Sequence, residues 1–305
     1  MFTLIVQQLT VMFIIMVIGF VSYKTKLLNL SANKAFSTFL LMVVNPALII
    51  YVYQIDFEIR MAILLFYALL AATASHIIGI LVSNFFIPRK NNPECAVERI
   101  SAVYSNCSFM GIPLISATIG LEGVFFLSAY IAVVNLLLWT HGIGLIKDGF
   151  SIKYLKEGLL SPVFIATIVA IGFYFTQIRL PILLVDSLGM LKATVTPLAM
   201  MIAGISLANA NLKNIFTNVN IHKISFIRLL LVPFLTLGLL ALLNLDRDVA
   251  YTILIASACP PATASILMAI RYDKNQVYAS EIFASSALFF IVTLPFVIFI
   301  ADLIL

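Results

Sequence analysis

Residues 105–113 read Ser105-Asn106-Cys107-Ser108-Phe109-Met110-Gly111-Ile112-Pro113 and lie inside an apolar run from about 96 to 119. Proline has no amide donor and its ring collides with the carbonyl four residues back, while glycine loosens the same turn. In hydrocarbon the freed backbone groups cannot face lipid unsatisfied, so a helix here should break inside protein or beside water. A second run, about 249–269, holds Ser257-Ala258-Cys259-Pro260-Pro261-Ala262-Thr263, where consecutive prolines leave no continuous helix. One such run reads as an ordinary proline kink. Two, in corresponding positions of two halves of a chain, point to a binding site built from discontinuous helices. The candidate substrate-binding residues are therefore Ser105, Asn106, Gly111, Pro113, Pro260, Pro261 and Thr263.

Outward from these runs the pattern repeats. Apolar stretches bounded by polar turns fall at about 3–22, 32–53, 60–87, 96–119, 123–146, 161–177, 187–208, 222–243, 249–269 and 278–303. Hydrophobic residues form 63% of the 305 and charged residues 10%, and mean hydropathy is +1.13. Soluble domains sit near about 45–50% and 25%. At roughly 20 residues per crossing of the bilayer, the chain accommodates ten spans. The fold class is thus an all-α polytopic membrane protein. The start, through Lys24, lacks a basic leader and a small-residue cleavage site and reads as a retained first span. Cys95, Cys107 and Cys259 are too scattered for a disulfide framework or a metal cluster and are expected to be free.

The basic residues orient the spans. Lys24, Lys26, Lys34, Arg89, Lys90, Arg99, Lys147, Lys153, Lys156, Lys213, Lys223, Arg228, Arg271 and Lys274 fall in odd-numbered connections, and only Arg60, Arg179, Lys192 and Arg247 in even-numbered ones. The positive-inside rule places the odd connections in the cytoplasm of a cell inner membrane and both termini outside. The longest polar connection, 147–160, separates a first repeat, 1–146, from a second, 161–305. Five spans being an odd number, two similar five-span repeats must be inverted relative to one another. Asn45-Pro46 in the second run is echoed by Thr196-Pro197 in the seventh, and Gly111-Ile112-Pro113 in the fourth by Pro260-Pro261 in the ninth.

The segment Asn106…Met110-Gly111-Ile112-Pro113-Leu114 resembles the fourth-span motif of the auxin efflux carrier family, whose bacterial members include malate-permease-like proteins. The likeness extends through Val44-Asn45-Pro46-Ala47-Leu48, Leu138-Trp139-Thr140 and Leu294-Pro295, and so covers nearly the whole chain. It implies ten spans in two inverted repeats, a scaffold half and a transport half, crossed broken helices around the substrate, and a homodimer. It also implies an architecture similar to bile acid:sodium symporters. By the resemblance, the family's substrate-contacting asparagine is Asn106 and its crossover prolines are Pro113 and the Pro260-Pro261 pair. Plant members carry an acidic and basic pair in the third span, where this chain offers only His76.

Other polar residues lie deep in runs. Asn45 is a further binding candidate, although it precedes Pro46 and can equally cap a kinked helix. Asn135 is another, with a plainer role as a helix–helix hydrogen bond of about 0.6 kcal/mol. His76 is a candidate for proton coupling, since ionisable groups at membrane depth are functional candidates; a neutral, packed histidine is the alternative. Glu122, Asp186, Lys192 and Glu281 fall at run ends and are expected to reach the interface, and His141 reads as packing. No H-E-x-x-H, G-x-S-x-G or aspartate-rich motif is present, so neither catalysis, a metal nor a cofactor is expected. The basic residues are interspersed between runs, which excludes a nucleic-acid face. The reading is a secondary transporter of small organic anions such as carboxylates, with a membrane-embedded ligand sensor or a sodium- or proton-coupled symporter of another solute as alternatives. No lysine or arginine lies in the middle of the fourth or ninth run, so helix N-termini are the expected source of positive potential for an anion.

Overall fold

A computed structural model of the chain describes residues 1–147, 149, 156 and 159–305. Every regular element of length among them is a helix: α1 Phe2–Lys24, α2 Leu30–Val52, α3 Ile59–Phe86, α4 Cys95–Val103, α5 Cys107–Thr118, α6 Leu121–Lys147, α7 Pro162–Thr176, α8 Ile182–Asn209, α9 Leu212–Thr217, α10 Val219–Leu243, α11 Arg247–Ala258, α12 Thr263–Arg271 and α13 Gln276–Ile304. Seven of them, α1, α2, α3, α6, α8, α10 and α13, are long and apolar enough to cross a membrane. The other apolar runs fold as the shorter α7 and as two interrupted pairs, α4–α5 and α11–α12. Helix ends lie within a few residues of the sequence expectation, α8 starting earlier at Ile182. The short α9 was not anticipated. The 147–160 connection lies almost wholly outside the described residues.

Local chemistry explains where helices start. Oxygens of Asn29, Ser161, Asn218, Asp246 and Asn275 accept hydrogen bonds from first-turn amides of α2, α7, α10, α11 and α13, satisfying donors that have no partner within the helix. Gly120, at φ 91°, makes the turn between α5 and α6 in a conformation that a side chain would strain. Three prolines follow a widened turn instead of ending their helix. Leu40–Val44, Cys107–Gly111 and Ile227–Leu231 each form one wide π-type turn, ending two residues before Pro46, Pro113 and Pro233. The wider turn relieves the clash between the proline ring and the preceding turn.

Two groups of helices result, each drawn from both halves of the chain. In one, α1 packs along α8, and α2 packs on α7 and α8. The α1 face is Ile5, Leu9, Met12, Met16 and Gly19, all buried, while Val11, Ile14, Ile18 and Val21 on the other side are exposed. In the other, α3 packs on α6, α11 lies against both, α10 and α13 pack on α4, and α13 also on α12; α5 packs on α6 and reaches α1 and α8 of the first group. The exposed apolar surface of the long helices matches the lipid contact expected of spans.

Candidate functional site

The two interruptions meet. Tyr104–Asn106 separate α4 from α5, and Cys259–Ala262 separate α11 from α12. Ser105 and Pro261 form an antiparallel bridge. The Asn106 amide donates to the Pro260 carbonyl at 2.7 Å and the Ala262 amide to the Tyr104 carbonyl at 2.8 Å. Prolines 260 and 261 have no amides to donate, so the donors come from Asn106 and Ala262 on either side. The first break therefore falls ahead of Gly111-Ile112-Pro113 and not at Pro113, as its sequence suggested. Pro113 lies within α5, just after the wide turn Cys107–Gly111 that accommodates its ring. A Cβ on Gly111 would lie 3.4 Å from both the Cys107 Cβ and the Cys259 sulfur, so glycine there permits close approach of the two breaks.

The largest departure from expectation is Arg228. Its position near the start of the eighth run placed it among loop cations, yet it lies inside α10 and is 0% exposed. Its guanidinium donates to the Cys259 carbonyl at 3.0 Å, to Val103 at 2.7 Å, to Ala102 at 3.2 Å and to Ser257. These are the carbonyls that end α4 and α11, which have no amide partners of their own. Among the described residues no carboxylate lies within ion-pair distance of it. Glu281 also departs from expectation: it is buried in α13 and accepts from the Asn214 amide of α9 at 3.0 Å, where an interfacial position was expected. His141 has more than a packing role, since the Tyr104 hydroxyl lies 2.7 Å from its Nδ1 and donates to the Leu137 carbonyl at 3.0 Å.

Around the crossing, buried polar atoms lack partners. The Asn106 Nδ2, in a residue 5% exposed, has none, and neither does the hydroxyl of Ser101, one turn earlier on α4. His76 of α3 is buried, with its ring 4.7 Å from Tyr130 and 6.3 Å from Tyr104. Its Nδ1 lies 2.7 Å from the Ala72 carbonyl. A carbonyl only accepts, so Nδ1 carries a proton, while Nε2 has no partner. Unsatisfied buried groups are costly and rare, and several together mark a place built for water or a ligand.

The structure brings Ser105, Asn106, Gly111, Pro260 and Pro261 together, with His76 adjoining through Tyr104. Thr263 begins α12 next to the break. Asn135 donates its amide to the Ile131 carbonyl of its own helix at 2.9 Å. Asn45 is buried with both carboxamide atoms unpartnered, on a helix that packs chiefly against α7 and α8. Separately, a cavity of about 240 Å³ opens at the head of α4, lined by Arg89, Asn92, Cys95, Arg99 and Lys274 among others. It is not at the crossing: the α4 residue lining it that lies nearest the break, Arg99, is five residues, about 7 Å of helix, before Tyr104.

Comparison with known proteins agrees with this architecture. No curated protein matches the chain. The profile of the family described as membrane transport protein matches over residues 4–151 and again over 149–298. Members of that family are transporters and not enzymes. The chain belongs to the membrane transport protein family, which includes the auxin efflux carriers.

Proposed function

We propose that this transporter is a secondary carrier of small organic anions, carboxylates among them, and that it works by alternating access at the crossing of α4–α5 with α11–α12. The observation that carries the reading is the unpartnered carboxamide nitrogen of Asn106, buried beside the starts of α5 and α12. Backbone donors and the positive end of a helix favour an anion. Ser105, Pro260, Pro261 and Thr263 shape the same site, Gly111 and Pro113 set the approach of its helices, and Asn45 and Asn135 serve as outer polar contacts. His76, whose Nε2 has no partner, is the group that would take a proton if transport is proton-coupled. The cation-lined cavity at the head of α4 suits an entrance for anions, because fixed positive charge raises their local concentration.

In this reading the interrupted pairs count as single spans and α7 as another, making ten spans in two inverted repeats within the cell inner membrane. The carrier works as a homodimer, in line with the resemblance. Moving Arg228 from loop to helix interior leaves 13 basic residues in odd-numbered connections against 4 in even-numbered ones, so the orientation is unchanged. Reporter fusions after Lys26, Asn92, Lys153 and Lys213 should all report cytoplasm. A periplasmic signal at two of them would overturn the inverted-repeat arrangement.

The function itself is tested by counterflow. Proteoliposomes loaded with a carboxylate should take up the same labelled carboxylate against its gradient, without ATP. A sensor built on the same fold would bind carboxylates with no counterflow, and that result would remove the carrier assignment.

A further inference from the structure

We infer that Arg228 decides the sign of charge that the crossing accepts, acting as a positioning residue through the helix ends it holds and not by touching the ligand. The substrate class in this inference rests on the carrier reading above; the geometry does not.

Four helix ends meet at the crossing: the C-terminal ends of α4 and α11 and the N-terminal ends of α5 and α12. A helix end carries about half an elementary charge, negative at the C-terminus and positive at the N-terminus. Left alone, the four ends sum to about zero, and an anion and a cation would find no difference in net charge. The guanidinium of Arg228 adds a full positive charge, and it is placed on the carbonyls of Ala102, Val103, Ser257 and Cys259 alone. It therefore neutralises the two negative ends and leaves the two positive ends, with the Asn106 carboxamide beside them, as the exposed potential. No carboxylate among the described residues cancels it. The uncompensated balance is about one positive unit, which matches one carboxylate group.

The same fork also sets the spacing of the two breaks. One planar guanidinium reaches residues at both breaks, through three nitrogens at fixed angles, which a lysine ammonium cannot reproduce. Arg228→Lys keeps the charge and loses the fork. Arg228→Gln loses the charge and keeps two donors. The pair of variants separates the two contributions.

The crossing supplies its own reporters. Cys107 and Cys259 are both buried on the facing breaks, and Cys95, the third thiol, can be replaced by serine. In a Cys95→Ser background, labelling of purified protein by N-ethylmaleimide reads how well the breaks are held. Binding is read by thermal shift and by equilibrium dialysis with succinate and benzoate, each against its primary amide, succinamide and benzamide. Wild type should prefer each carboxylate to its amide by tenfold or more. Arg228→Lys should keep that preference to within tenfold of wild type, with Cys107 and Cys259 labelled at least tenfold faster. Arg228→Gln should lose the preference, bringing acid and amide within about threefold of one another. A monodisperse Arg228→Gln that still prefers carboxylates as wild type does would overturn the inference; if that variant cannot be purified, loss of the preference in folded Arg228→Lys does so. If wild type binds neither carboxylate, the charge assignment falls together with the carrier reading. Labelling then still decides the positioning role, because wild-type protection of Cys107 and Cys259 in both variants would refute it.

Discussion

Gly204→Val should leave little monodisperse protein, and Gly204→Ala should lower stability by about 3 kcal/mol or more. A Cβ on Gly204 would lie 2.0 Å from the Met16 carbonyl oxygen and 2.8 Å from the Phe20 amide nitrogen. Across the same seam, a Cβ on Gly19 would lie 2.6 Å from the carbonyl oxygen of Met201. The obstructing atoms are backbone, so no rotamer change relieves the clash and α1 and α8 must move apart. Overpacking of a core costs about 1–3 kcal/mol when side chains can adjust, and more where they cannot. The seam also carries much of the packing that holds α8 in place, because small residues let membrane helices approach closely without a hydrophobic force between them. Gly172 of α7 is the control: nothing lies within 4 Å of its added Cβ, so Gly172→Ala should be neutral or stabilising by up to about 1 kcal/mol through helix propensity. The midpoint of thermal aggregation in detergent, followed by size-exclusion chromatography, measures all three. A Gly204→Ala midpoint no lower than that of Gly172→Ala would refute the backbone-to-backbone seam.

Asn106→Ala is expected to weaken carboxylate binding by about 10- to 150-fold while leaving the fold intact. The two effects separate because the side chain and backbone of Asn106 do different things. Its amide nitrogen donates to Pro260 and survives the substitution. Its Nδ2 has no partner in the protein, so removing it breaks no internal hydrogen bond. Deleting an unsatisfied buried group is close to neutral for stability. A hydrogen bond to a charged group contributes about 1.5–3 kcal/mol, which converts to the stated range at 1.4 kcal/mol per factor of ten. Solid-supported membrane electrophysiology reads the result: pulses of carboxylate should give saturable currents of negative sign in wild type, much reduced in Asn106→Ala. Currents within twofold of wild type, equivalent to about 0.4 kcal/mol, would remove Asn106 from the site.

Much of the architecture was legible from residues close together in sequence. Hydropathy and helix ends are local properties, and the apolar runs at 3–22, 60–87 or 278–303 became Phe2–Lys24, Ile59–Phe86 and Gln276–Ile304. Asn29, Asn218 and Asn275 capped helices where their side chains could reach the first turn. Proline chemistry is local too, which is why the Pro260-Pro261 pair marked the second break correctly. The first break was placed too far along because it is not made by Pro113. It is made by a carbonyl of Pro260, more than 150 residues away, that takes the Asn106 amide. Likewise Gly19 and Gly204 carry no sign in sequence that they face one another.

What the sequence by itself determined is a chain of apolar helices with two interruptions and a fair list of the polar residues beside them. What only the tertiary structure decided is how those interruptions are held and charged. Arg228 stood near the polar start of an apolar run and counted as a loop cation, because hydropathy sees a residue's neighbours in sequence. Its burial is set instead by carbonyls 29 to 126 residues away, at the ends of two other helices. A cation enters a membrane interior only where such groups converge on it, and convergence is a property of the folded chain.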